Sequence, residues 1–268
     1  MQEYNKTDRQ VHWLSQVLAK TNRAFLPEKE DDSHTNLYFD PVSGKLTGRW
    51  VEHKQQKIFL ALNVRSMHFE WMDQHLGIKD TISVFNKTMQ EIEQDVSVYP
   101  QSIGLPAEKI FRELHFEIPD YKIGRIASND INESGIQKWS YFRQLANEAC
   151  LHFLGFLQAE SEIRIWPHHF DTGVYAQVSP GFGIGFGLAM EDSMAGQSYF
   201  YLAGYASGTE IDYKNLAGLS DGQWITNGAW KGSVLTLDRL TGQNLKTDNQ
   251  MIQSFIQEAA NGYLHQKL

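Results

Sequence analysis

The chain has 268 residues, 41% of them hydrophobic and 21% charged, the balance of a folded globular protein and not of a disordered segment or a coiled coil. Its formal net charge is −8 with a sequence pI near 5.7, and Lys and Arg form no cluster able to track a phosphate backbone, which argues against nucleic-acid binding. The first ten residues carry no apolar leader core and no apolar run approaches ~18 residues, so a cytoplasmic protein with no membrane partner is expected. The single cysteine, Cys150, has no internal disulfide partner, and its neighbours Leu151, Phe153 and Leu154 predict a buried thiol.

In chain order, Val11, Leu14, Val17, Leu18 and Thr21 recur at helical spacing and predict an amphipathic helix from Asp8 to Phe25, ended by Pro27. Leu37-Tyr38-Phe39 opens a strand, the segment from Asp40 to Gly44 is a turn, and Lys45–Glu52 and Lys57–Trp71 read as further strands. Within the latter, Ile58, Leu60, Leu62 and Val64 alternate against Phe59, Ala61 and Asn63. Ile82, Phe85, Met89 and Ile92 then predict a helix over Asp80–Gln94, and Pro106 starts a shorter one through Leu114.

Residues 121–135 are polar and rich in Asn, Asp, Ser and Gly, suiting a linker or crossover between an N-terminal half, 1–120, and a C-terminal half, 136–268. The second half opens with a long helix, Ser134–Gln158. Strands follow at Glu162–Trp166, Thr172–Val178, Gly183–Met190 and Ser198–Ala206. After them come a turn- and strand-like stretch from Trp224 to Leu237 and a last helix, Asp248–Leu264. Both halves read helix, antiparallel meander, helix, within one compact domain or two. The expected class is α+β, with antiparallel sheets and helices on one face of each.

The richest stretch runs from Ile163 to Tyr205. Gly181, Gly183, Gly185 and Gly187 share one face of a strand while Phe182, Ile184, Phe186 and Leu188 share the other. Glycine weakens a strand interior and is placed there where a ring, a ligand or another backbone must come close. On the following strand Tyr199, Tyr201, Ala203 and Tyr205 share a face. They either lie across the bare glycines as sheet packing, or line an aromatic cleft with Trp166 for a small molecule.

In Trp166-Pro167-His168-His169-Phe170-Asp171, strand parity sets His169 and Asp171 on one face, with Pro167 marking an edge or bulge. A His beside a carboxylate supports two chemistries: an acid/base pair built from His168, His169 and Asp171, or a metal site of His169 and Asp171, with Glu191 and Asp192 close by at the end of the glycine strand. The competing reading is a hydrogen-bonded His–Asp pair that fixes a turn. HExxH and CxxC spacings are absent, as are GxGxxG and GxxxxGK[ST], so no cofactor is named by a motif. His12, His53, His68, His75, His115 and His152 are scattered singly and read as surface or helix-packing residues. Trp224 and Trp230 flank an Asn-Gly turn that reads as a hairpin, with rings over a sheet edge or lidding the cleft.

The Trp-Pro-His-His-Phe-Asp segment, the glycine strand, Ser198-Tyr-Phe-Tyr-Leu and the downstream Trp-pattern resemble an uncharacterised bacterial family of unknown function, in which such a Phe-Asp segment follows a long helix. This resemblance implies no activity, cofactor or catalytic residue. The leading expectation is a protein that holds a small polar or aromatic molecule over the Gly183/Gly185/Gly187 and Tyr199/Tyr201 face, with Trp166, Glu191 and the His-His-Phe-Asp motif at its rim. Two alternatives stand beside it: a metal-dependent enzyme using the His/carboxylate site, and a structural or interaction module with an aromatic sheet face.

Overall fold

The computed structural model describes residues 1–266; Lys267 and Leu268, at the end of the expected C-terminal half, lie outside the described residues. The class is α+β, with four α-helices and two six-stranded antiparallel sheets among the described residues. The chain divides into two compact units. The N-terminal unit holds Gln2–Ser140 and Ile165–Phe170, and the C-terminal unit holds Met1, Tyr141–Arg164 and the residues from Asp171 onward.

In the N-terminal unit, α1 (Gln2–Phe25) precedes β1 (Tyr38–Asp40), β2 (Lys45–Thr47), β3 (Val51–His53), β4 (Gln56–Asn63), β5 (His68–Asp73) and β6 (Ile78–Ser83), and α2 (Met89–Ser102) follows. The sheet order is β1-β2-β4-β5-β6, with β3 also on β4. The alternation read in Lys57–Trp71 is real, but the run is two strands: β4 and β5 pair antiparallel, with Met67 at φ 52° in the turn between them. Leu62 opposite Phe69 and Leu60 opposite Trp71 form the face that meets the helices. Trp71 donates its indole N–H to Val96 O on α2 at 2.9 Å and lies against Phe25 of α1. The opposite face carries a small cluster of Phe59, Ala61 and Met72, beside buried Glu70 paired with Lys45 at 2.7 Å.

Three expectations fail here. The helix expected over Asp80–Gln94 is a strand followed by a helix: Ile82 pairs with Phe69, and α2 starts only at Met89. The start is fixed by a reciprocal cap in which Thr88 Oγ1 accepts from Glu91 N and Glu91 Oε2 accepts from Thr88 N. The helical spacing of Ile82 and Phe85 with Met89 was therefore an accident of a strand running into a capped helix. Second, α1 starts at Gln2 and buries most of its circumference, including His12, Gln16, Lys20 and Asn22, so it is not amphipathic in the surface sense. Its buried polar groups are partnered: Lys20 pairs with Glu93 at 2.9 Å, and Asn22 Oδ1 accepts from Arg49 N. The shorter helix expected from Pro106 to Leu114 is one 3-10 turn, Ala107–Phe111.

α3 (Glu133–Leu157) runs across the division of the chain and is followed by β7 (Arg164–Ile165), β8 (Thr172–Ser179), β9 (Phe182–Ala189), β10 (Tyr199–Ala206), β11 (Gln223–Ile225) and β12 (Gly232–Thr236), then α4 (Leu245–Leu264). The second sheet has the order β11-β12-β10-β9-β8-β7. Mapping β1, β2, β4, β5 and β6 onto β7, β8, β9, β10 and β12 preserves strand order, with β3 and β11 left over as additions. One face of this sheet is apolar: Phe186 stacks on Phe153 of α3 and on Phe200 of β10, and Gly204 lies against the ring of Tyr263 on α4. On the same face Arg143 of α3, fully buried, donates to Thr172 Oγ1 at 2.8 Å. The helices therefore cover one face and leave the glycine face turned away from them.

Candidate functional site

The glycine lane is continued by the neighbouring strands. The register of β8, β9 and β10 sets Gly173 opposite Gly187 and Gly187 opposite Tyr201, then Tyr175 opposite Gly185 and Gly183 opposite Tyr205. Because side chains on directly opposed residues share a face, Gly173, Tyr175, Gly183, Gly185, Gly187, Tyr201 and Tyr205 form one surface. Each tyrosine ring uses a glycine. A methyl group on Gly183 would strike the Tyr175 ring, and one on Gly185 would meet Tyr205 Cε2 at 3.1 Å. A methyl on Gly173 or Gly187 would meet the Tyr201 hydroxyl at 3.0 and 2.9 Å. The lane is thus a bed for tyrosine rings, as the packing reading requires.

At one end of this bed Tyr201 donates its hydroxyl to Asp171 Oδ2 at 2.7 Å. Asp171 Oδ1 is buried and has no hydrogen-bond partner. Burial, and then the charge and hydrogen bond of Asp171, push the Tyr201 phenol well above its ordinary range. Tyr205 is pushed up by burial and next by Asp171, with a hydrogen bond from Trp230 opposing the rise. Trp230 lies edge-on to Tyr201 with centroids 6.5 Å apart and covers Gly232, where a methyl group would sit 2.5 Å from its ring. At the other end the rings of Tyr175 and Tyr205 approach to 6.0 Å and stay 46% and 49% exposed. Phenols held above their usual range stay neutral at physiological pH. The surface therefore offers π-faces, hydroxyl donors and one carboxylate, a set for recognition more than for proton shuttling.

The expected site residues divide among different roles. Trp166-Pro-His-His-Phe is a turn, not a strand: Phe170 adopts φ 57° and its N–H donates to Trp166 O at 2.6 Å, so the parity that set His169 beside Asp171 does not apply. Within the N-terminal unit, the Pro167 carbonyl accepts from His12 Nε2 at 2.9 Å and from Gln16 Nε2 at 2.8 Å. The His12 ring stacks on fully buried Phe170 at 4.8 Å, and its Nδ1 meets the Tyr121 hydroxyl at 2.7 Å. A carbonyl only accepts, so Nε2 carries the proton and, in the neutral ring, Nδ1 accepts from Tyr121. His168 packs on Phe116, Trp166 and His169, and His169 is exposed.

On the C-terminal unit, Asp192 closes the β9–β10 connection. Its Oδ1 accepts from Met194 N and Ala195 N, and its Oδ2 accepts from the Tyr199 hydroxyl at 2.7 Å. Tyr199 is thereby buried and its phenol pushed up, by burial first and then by Asp192. Glu191 is exposed in the same connection. Of the two tryptophans expected over a sheet edge or as a lid, Trp224 is on the opposite face against Tyr263, whereas Trp230 is on the tyrosine face. His12, Gly173 and Trp230 are the residues that sequence reading undervalued. His12 acts on Pro167, 155 positions away, and no local pattern carries that pairing.

Among the described residues, no three His, Cys, Asp or Glu side chains come together as a metal site. None of the described helices is long and apolar enough to cross a membrane. A cavity of about 620 Å³ lies elsewhere in the C-terminal unit, between the loop after β10 and the end of α4, lined by Glu210, Asp212, Glu258, His265 and Gln266 among others. Comparison of the chain with protein-family models, with curated proteins and with solved structures finds no match. The class defined by the structure is therefore architectural: an α+β protein with two antiparallel sheets, the second carrying a tyrosine-over-glycine face.

Proposed function

We propose that this protein binds a small organic molecule on the tyrosine face of its second sheet. The observation that carries the reading is the half-exposed pair Tyr175 and Tyr205, seated on bare glycines and continuous with the Trp230–Tyr201–Asp171 cluster. Rings with centroids 6.0 Å apart and the backbone bare beneath them supply π contact area, and the hydroxyls supply orientation. The resemblance to an uncharacterised bacterial family adds no activity to this reading.

A ligand-observed NMR screen of a fragment set against the full chain tests it. Saturable binding by wild type that is lost in Tyr205→Ala, a variant at a half-exposed ring that leaves the sheet core intact, supports the proposal. Fragments that bind wild type and Tyr205→Ala alike, or none that bind at all, refute it.

A further inference from the structure

We infer, resting on the ligand-binding reading above, that the molecule taken by this face is an organic cation, an alkylammonium or guanidinium carried on an apolar body, with its charge held by the Tyr201, Tyr205 and Trp230 rings beside the Asp171 carboxylate. Four observations meet here. Asp171 uses one oxygen to accept from Tyr201 and leaves the other buried without a hydrogen-bond partner. A carboxylate held away from water with half its acceptor capacity unused is relieved by a positive charge and aggravated by a negative one.

The groups around that carboxylate are aromatic. Trp230 lies edge-on to Tyr201, and Tyr175 continues the ring surface from Tyr205. The negative π-faces of Trp and Tyr attract ammonium and guanidinium groups, most strongly where water is thinned. The Tyr201 and Tyr205 phenols stay protonated at physiological pH, because burial and the Asp171 charge push both above their ordinary range. The rings therefore act as π-surfaces and donors, and the carboxylate supplies the charge.

The chain already shows the same chemistry next door. Lys231, adjacent to Trp230, extends its ammonium over the Tyr213 ring at 5.5 Å from the centroid and not toward Asp171. Asp192, on the β9–β10 connection, accepts from Tyr199, two residues along β10 from Tyr201, and the same Tyr199 phenol, raised by burial and Asp192, is pushed up further by Asp171, so a second negative charge acts at this end of the sheet. An anionic ligand would be repelled by Asp171, and a neutral aromatic would bring it no compensating charge.

The test is isothermal titration of the full chain at pH 7 with three benzyl compounds of different charge: benzyltrimethylammonium, benzyl alcohol and phenylacetate. The cation is expected to bind at least tenfold more tightly than either of the others, and Asp171→Asn, checked for folding by circular dichroism, to weaken the cation about tenfold while leaving benzyl alcohol unchanged. Benzyl alcohol or phenylacetate binding as tightly as the cation overturns the inference on wild type alone, with no variant needed, and leaves the ligand-binding reading standing. Cation affinity unchanged in folded Asp171→Asn also overturns it. If none of the three binds, the cation inference falls; the fragment screen then decides separately whether the broader reading survives.

Discussion

Gly183 and Gly187 occupy the same strand and the same face, yet the same substitution to alanine is expected to have very different consequences. At Gly187 the new methyl would sit 2.5 Å from Thr172 O, 2.9 Å from Gly173 Cα and 2.9 Å from the Tyr201 hydroxyl. The first of these is 0.9 Å short of the 3.4 Å at which ordinary contact begins, and the obstructing atoms are backbone of β8, held in its ladder by the Gly173–Gly187 and Thr172–Leu188 pairs. Overpacking of this kind costs roughly 1–3 kcal/mol, and displacing Tyr201 from Asp171 forfeits a hydrogen bond to a charged group worth roughly 1.5–3 kcal/mol. Alanine's advantage over glycine in a strand returns only about 0.5–1 kcal/mol. Gly187→Ala should therefore destabilise by about 1.5–5.5 kcal/mol, as the difference of those terms.

At Gly183 the three atoms nearest the methyl all belong to Tyr175, whose ring is 46% exposed and can swing into solvent by giving up a 3.3 Å contact with Gln177 and its contact with the Tyr205 ring. The loss and the backbone gain are both under about 1 kcal/mol, leaving a change near zero. Urea denaturation followed by circular dichroism and tryptophan fluorescence gives both values. Variants equal to within about 0.5 kcal/mol, or Gly183→Ala as the weaker protein, would refute the claim that one glycine serves the backbone and the other only a ring.

Tyr201→Phe should cost roughly 1.5–3 kcal/mol by leaving both Asp171 oxygens without a donor, and a double-mutant cycle with Asp171→Asn should recover most of it as coupling; coupling near zero would show the pair to be incidental. Asp73 is held down to about 2 by its hydrogen bond with Lys79 and then by the Gly77 amide. A lowered carboxyl contributes stability above its unfolded value that is lost as pH falls through the folded one, so Asp73→Asn should flatten the pH dependence between about 4 and about 2, and a carbon-detected titration placing Asp73 near 4 would contradict this. Burial pushes the Cys150 thiol far above its ordinary range, so a thiol reagent should label native protein only at the rate of unfolding; fast labelling without denaturant would place Cys150 nearer the surface than the helix packing allows.

The strands of the second sheet were legible because period-two alternation is unusually clean there: Gly183, Gly185 and Gly187 against Ile184, Phe186 and Leu188 admit one assignment of faces. The tyrosine cover was legible as one of two readings, since Tyr199, Tyr201 and Tyr205 repeat with the same period. Where β6 gives way to α2 the pattern misled, because Ile82, Phe85, Met89 and Ile92 satisfy a helical spacing while Thr88 and Glu91 set the real start. The Trp-Pro-His-His-Phe-Asp segment misled differently. Local alternation suggested a strand, and long-range hydrogen bonds from His12 and Gln16 to Pro167 hold it as a turn.

By itself, then, the sequence determined the fold class, the division of each strand into a greasy and a bare side, and the neighbourhood of the candidate site, because all three are written in periodicities of a few residues. Only the tertiary structure decided which groups meet. Tyr201 reaches Asp171 because β9 and β8 put Gly187 opposite Gly173 and so leave a channel for its ring, and Trp230 joins it because β12 pairs with β10 while Trp224 faces the helices. These partnerships depend on strand register and on contacts across about thirty residues or more, as between Asp171 and Tyr201. Register is set by the packing of whole faces, and no short window of sequence records it.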